Sequence, residues 1–147
     1  MAASLRPDTL ADTGAILAIL DQDDRWHPLC SETFGQLRLP MLTSEAVLTE
    51  LFHLFAKTPH EMRSAWNFIR SGAFSLAIIA ESELPQIQDL MTRYADHPMD
   101  FADATLVYLA ERESISTVFT VDHADFSTYR IGGRRRFRIF PIEQPGR

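Results

Sequence analysis

Five short runs, Asp8–Asp12, Leu39–Thr43, Phe74–Ile79, Ser116–Val121 and Arg136–Ile142, alternate with longer segments of helical period. That alternation constrains the chain more than any other feature. Short strands joined by helices require right-handed crossovers, and such crossovers give a mostly parallel sheet covered by helices on both faces. The expected fold class is α/β: a three-layer α/β/α sandwich around a mostly parallel central sheet. The helical segments carry their own punctuation. "AILAIL" from Ala15 opens a short helix, and "HPLCSETFGQL" is a second with Pro28 suited to its first turn. Ser44 caps the amphipathic "EAVLTELFHLFAK". Pro59 ends that helix and starts "HEMRSAWNFIRSG", for which Gly72 is a stop. "ESELPQIQDLMTRYAD" and "FADATLVYLAERES" complete the set. Without repeats or a separating linker, the 147 residues are expected to form one domain over 1–147.

The termini of these elements hold the chemistry. Asp12 ends the first strand and Asp122 the fourth, so a parallel sheet brings both to its carboxyl edge, where open α/β folds bind ligands. Glu50 stands between Val47 and Leu54 at helical spacing, and Asp103 shares a side with Leu106 and Val107. Two helices thus set one acid each at a core-facing stripe. A buried, unpaired carboxylate costs several kcal/mol or becomes neutral, and four together repel. A divalent cation with hard oxygen ligands, Mg²⁺ or Mn²⁺, resolves the conflict. Each acid has a plainer role open to it as well: Asp12, Asp122 and the Asp100–Asp103 pair can cap helices, and Glu50 can pair with an arginine. Asp100 and Asp125 are further acids near the same edge.

Bulk properties exclude several classes. No apolar stretch reaches the length of a membrane span, and "MAASLRPDTLAD" has no apolar leader core, so a cytoplasmic protein is expected. Cys30 is the single cysteine, which excludes an internal disulfide and a cysteine zinc cage. The net charge of −6 argues against a polyanionic partner. The cations are unusual in kind, however: Lys57 is the only lysine among fourteen, and "GGRRRFR" gathers Arg134, Arg135, Arg136 and Arg138. Guanidinium groups grip phosphate through a fork that an ammonium lacks. A solvated turn is the plain alternative.

The acids fall within four stretches that resemble the motifs of the PIN-domain nucleases, in particular the VapC-like toxins of bacterial toxin–antitoxin pairs. "ADTGAILAILDQDDRWH" resembles the first motif, "LTSEAVLTELFHLF" the second with Glu50, "YADHPMDFADATLVYLAE" the third with Asp100 and Asp103, and "VFTVDHADFSTYR" the fourth with Asp122 and Asp125. They occur in family order over nearly the whole chain. The resemblance implies a PIN-like fold and a metal-dependent endoribonuclease. Asp12, Glu50, Asp103 and Asp122 would hold one or two Mg²⁺ or Mn²⁺ ions. Thr13, Asp100, Thr120 and Asp125 would support them; apart from the resemblance, the forked chemistry of Arg134, Arg135, Arg136 and Arg138 suits them to hold RNA away from the acidic centre. The resemblance also implies a homodimer and a cognate antitoxin that reaches an arginine into the acidic pocket. Two other readings stay open at this point. One is a receiver-like domain phosphorylated on aspartate, for which the chain lacks a lysine after the last strand. The other is a PIN fold that only binds RNA.

Overall fold

The structure, a computed structural model, describes residues 6–146; the first five residues, part of the stretch expected to lack a leader, and Arg147 lie outside it. Five strands and seven α-helices follow in the order β1 (Thr9–Ala11), α1 (Thr13–Leu20), α2 (His27–Phe34), β2 (Met41–Ser44), α3 (Glu45–Phe55), α4 (Pro59–Ile69), β3 (Phe74–Ala77), α5 (Leu84–Arg93), α6 (Phe101–Arg112), β4 (Thr117–Phe119), α7 (His123–Thr128) and β5 (Arg138–Phe140). All five strands are parallel, in the order β3-β2-β1-β4-β5. The α/β expectation therefore holds, with a sheet that is wholly rather than mostly parallel.

The sheet order separates two of the readings. Here β1 lies between β2 and β4. A receiver domain has β1 between β2 and β3. The topology therefore excludes the receiver-like alternative. It also puts the switch point between β1 and β4, where the chain leaves neighbouring strands toward opposite faces.

Most strands are shorter than the apolar runs suggest: β1 stops before the cap Asp12, whereas β2 starts two residues late, at Met41, and runs on through Ser44. Asp12 is the N-cap of α1 and Ser44 the N-cap of α3, so β1 and β2 stop where those helices begin. Thr58, not only Pro59, fixes the start of α4 through a reciprocal capping box with Glu61. The segment from Glu81 begins as a 3-10 turn, Glu81–Glu83, before α5 proper.

Burial explains the composition of the central elements. All of β1 and β2 is buried, as expected for inner strands of a doubly covered sheet. Leu10, Val118 and Phe119 meet Ile16, Val47, Leu51, Leu106 and Leu109 in one core. α6 is buried over Ala102–Val107, which is why its apolar residues surround the helix instead of forming one stripe. Asp103 lies within that run.

Candidate active site

Three of the four acids sit where a helix begins. Asp12 is 6 % exposed; its Oδ1 accepts from the Thr13 N–H at 2.8 Å and its Oδ2 from the Thr120 hydroxyl at 2.7 Å. Its own N–H donates to the Phe119 carbonyl, which ties the residue to β4. Asp122 follows β4 and caps α7, accepting from the Asp125 N–H at 3.3 Å. The Thr120 hydroxyl in turn accepts from the Asp122 N–H at 2.9 Å. One threonine thereby joins the two strand-end acids across the switch point.

The helical acids are placed differently from one another. Asp103 lies in the first turn of α6 and is 7 % exposed. Asp100 caps that helix, accepting from the Asp103 N–H at 2.7 Å. The Tyr129 hydroxyl donates to Asp103 Oδ2 at 2.8 Å. Glu50 lies in the middle of α3 and is only half-buried, rather than in the helix's first half facing the core. Its Oε1 accepts a hydrogen bond from the Thr13 hydroxyl at 2.7 Å, so its partner is a threonine and not an arginine.

Asp12 and Asp122 are thus helix caps and members of the acidic cluster at once. A cap must point its carboxylate at a helix N-terminus, and the N-termini of α1, α6 and α7 all lie at the carboxyl edge. Gly14 makes the close approach there: a Cβ at that position would stand 2.5 Å from Val121 Cγ2.

The charges of these groups press on one another. Burial first, then the Asp12 charge, pushes Asp103 up to about 8, against the Tyr129 hydrogen bond that favours its ionised form. Burial raises Asp12 to about 6, opposed by the Thr120 and Thr13 hydrogen bonds and reinforced by Glu50 and Asp100. Burial also raises Asp122, aided by Asp125, while the hydrogen bond with Asp122 holds Asp125 low. Among the described residues no arginine or lysine pairs with the four acids to relieve this crowding. Among the described residues the ion pairs are Arg38–Asp8, Arg93–Asp89, His97–Asp125 and those of Arg112 with Glu83 and Glu113. None reaches Asp12, Glu50, Asp103 or Asp122.

The donor set fits a small hard cation in kind: oxygen ligands, surplus negative charge and, among the described residues, no neutralising arginine. It is not a closed cage. Among the described residues no three His, Cys, Asp or Glu side chains stand together so as to hold an ion by themselves. Magnesium tolerates such a site, because it keeps several waters and commonly takes one or two carboxylates together with substrate phosphate. Beside the acids runs an open cleft of about 460 Å³ whose walls include Glu50, Asp100 and Phe101.

The structure brings together Asp12, Thr13, Glu50, Asp100, Asp103, Thr120, Asp122 and Asp125. It does not bring the arginine cluster to them. Arg138 pairs with Thr117, the first residue of β4, at the amino edge of the sheet. Arg134 and Arg135 close a tight turn onto Ile131, with Gly132 and Gly133 at positive φ. A Cβ on Gly132 would stand 3.4 Å from Glu111 Oε1, in the last turn of α6. Asp103 is in the first turn of that helix, about 12 Å away along its axis. Sequence reasoning also missed Tyr129. Its aromatic ring reads as core packing, and only its hydroxyl reaches the site.

A sequence profile of the PIN domain family matches residues 9–131, which take in every one of the clustered acids. The chain belongs to the PIN domain family. Within it the chain is VapC-like: it is 31% identical over 135 residues to Ribonuclease VapC26 of Mycobacterium tuberculosis, covering 90% of this chain and 99% of that protein. The crystal structure of the sarcin–ricin-loop-cleaving toxin VapC20 from the same organism superimposes with a TM-score of 0.67 over 75% of this chain and 86% of that one. Its identity of 17% speaks to the fold alone.

Proposed function

We propose that the protein is an endoribonuclease, the toxin of a toxin–antitoxin pair, and that it hydrolyses RNA phosphodiesters with Mg²⁺ or Mn²⁺. The observation that carries this reading is the buried pair Asp12 and Asp103, both raised and neither in an ion pair among the described residues. Asp12 and Asp103 would hold the metal, with Glu50 and Asp122 completing the shell or orienting water. The bound cation supplies charge neutralisation at the scissile phosphate and a more acidic water.

The chain's own groups do the rest. Thr13 fixes Oε1 of Glu50, leaving Oε2 to accept a proton from the attacking water. Thr120 holds Asp12 Oδ2 and so keeps that carboxylate turned toward β4. The purified protein should cleave RNA in Mg²⁺ and stop in EDTA, with ends mapped by sequencing. A protein that binds RNA without cutting it under both conditions would favour the binding-only reading.

The surroundings support the remaining partners. Phe101 and Leu84 are roughly half exposed and Ile78 is 80 % exposed, along the end of β3, α5 and the start of α6. An apolar groove of about 680 Å³ continues the same face past Ile87 and Met91. We take this face as the homodimer contact, since exposed apolar patches of this kind mark interfaces. Ile78→Arg should convert a dimer to a monomer in analytical ultracentrifugation; a variant that sediments as the wild type does would move the interface elsewhere. A cognate antitoxin offering an arginine to the unmatched acids would block the site. No helix among the described residues is long and apolar enough to cross a membrane, and RNA as substrate fits the cytoplasm.

Arg134, Arg135, Arg136 and Arg138 are exposed and lie on the far edge. They would therefore touch only RNA long enough to wrap around the domain. Replacing Arg134 and Arg135 by Ala should weaken binding of a long structured RNA. It should also flatten the salt dependence, lowering the slope of log K against log salt by about 0.7 to 0.9 for each phosphate no longer neutralised. A short oligonucleotide that fills only the acidic cleft should bind unchanged. Equal affinity and salt slope for both lengths would make the cluster a solvated turn.

A further inference from the structure

Tyr129 reaches the acidic site from outside the strands and outside α6. It lies just past the end of α7, the helix capped by Asp122, and its hydroxyl reaches back to Asp103. Its ring is fully buried and held edge-on by three others: Tyr94 at 5.2 Å, Phe126 at 5.2 Å and His97 at 5.9 Å. Two of these neighbours are themselves fixed. The Tyr94 hydroxyl accepts from the Arg130 N–H at 2.8 Å, and His97 Nε2 meets Asp125 Oδ1 at 2.6 Å. A ring clamped in this way leaves the hydroxyl one direction, toward Asp103 Oδ2.

We propose that Tyr129 is a positioning residue of the active site, one that fixes Asp103 Oδ2 and so presents Oδ1 for the metal. This rests on the metal reading above and adds to it a residue that is not an acid. Two features favour positioning over plain packing. A buried tyrosine needs a partner for its hydroxyl, and most side-chain hydrogen bonds go to backbone or water; here the partner is a carboxylate in the candidate metal site. The same residue also links the third and fourth acidic stretches, since α7 carries Asp122 at one end and Tyr129 just past the other. A carboxylate free to rotate about its last bond gives a softer ligand, and hydrogen-bonded groups behind metal ligands commonly contribute roughly 10- to 100-fold in metal affinity.

The test uses Tyr129→Phe, which keeps the ring and removes only the hydroxyl. Mn²⁺ binding to the RNA-free protein is measured by calorimetry and by electron paramagnetic resonance, beside wild type and Asp103→Asn. The expected result is a wild type that binds, an Asp103→Asn that does not, and a Tyr129→Phe weakened by about 10-fold or more. RNA cleavage should then need correspondingly more Mg²⁺ for half-saturation. Wild-type Mn²⁺ affinity in folded Tyr129→Phe overturns the positioning role while leaving the metal reading intact. A wild type that binds no Mn²⁺ overturns both. Because the variant's folding is itself at stake, the intact protein gives a second reading. It has three tyrosines; labelled with 3-fluorotyrosine, its Tyr129 resonance should shift on adding Mg²⁺ and stay still in Asp103→Asn. A Tyr129 resonance blind to Mg²⁺ in a protein that binds it counts against the proposal.

Discussion

Asp103→Asn should lower RNA cleavage by on the order of 10³-fold, the scale seen when one charge-stabilising group is removed from a preorganised site. Asparagine keeps the size of the side chain, and its carbonyl oxygen still accepts the Tyr129 hydrogen bond. The substitution therefore isolates the negative charge. The same change should abolish stabilisation by metal. A ligand present at about 100 times its dissociation constant stabilises the folded state by about 2.7 kcal/mol. For a chain of this length that is a rise of roughly 5–10 °C in Tm. Thermal unfolding with and without Mg²⁺, and cleavage of a radiolabelled RNA by the same preparation, would check both halves. Cleavage by Asp103→Asn at the wild-type rate would remove this residue from the site, and an undiminished Mg²⁺ shift would remove it from the metal.

The acids are legible in the sequence for a physical reason. Asp12 follows β1 directly and Asp122 comes three residues after β4, and short apolar runs mark where those strands lie. Asp103 interrupts an apolar helix, and an interruption of that kind is conspicuous. Thr13 and Thr120 lie beside them in the chain and are hydrogen-bonded to Glu50 and Asp12. Tyr129 is hidden, because nothing in a one-dimensional pattern separates a packing ring from a ring whose hydroxyl meets a carboxylate 26 residues earlier. The arginine cluster shows the opposite case. Its residues do lie at the entry to the last strand, as their glycines suggest. A parallel strand begins at the amino edge, whereas the acids follow strand ends. Distance between the two is therefore implicit in the same reasoning that links them. Apolar runs overstate the length of most strands; β1 stops before the cap Asp12, whereas Ser44 both caps α3 and still pairs with Ala77.

The metal-free protein should lose stability as pH rises, and neutralising Asp103 should abolish most of that loss. Without a cation Asp103 is pushed up to about 8 and Asp12 to about 6, from an ordinary 3.8. The folded state therefore keeps protons that the unfolded chain releases, and stability falls with pH between those values. Below about pH 4 both states are protonated and the acids carry no penalty. From there to about pH 8 each retained proton weakens folding by about 1.4 kcal/mol per pH unit. Asp103→Asn in EDTA should then match wild type near pH 4 and exceed it at pH 8 by several kcal/mol, roughly 10–20 °C in Tm. Asp12→Asn should gain less. Asparagine still caps α1, but its one carbonyl oxygen cannot replace both carboxylate oxygens, which accept separately from Thr13 and Thr120. Denaturation in EDTA across that pH range, with each variant, gives the slopes directly. An Asp103→Asn less stable than wild type at pH 8 would mean that the carboxylate serves the fold. A steeper fall in wild type, reversed by Mg²⁺ at pH 8, would mean that the fold tolerates the carboxylate for the sake of the ion.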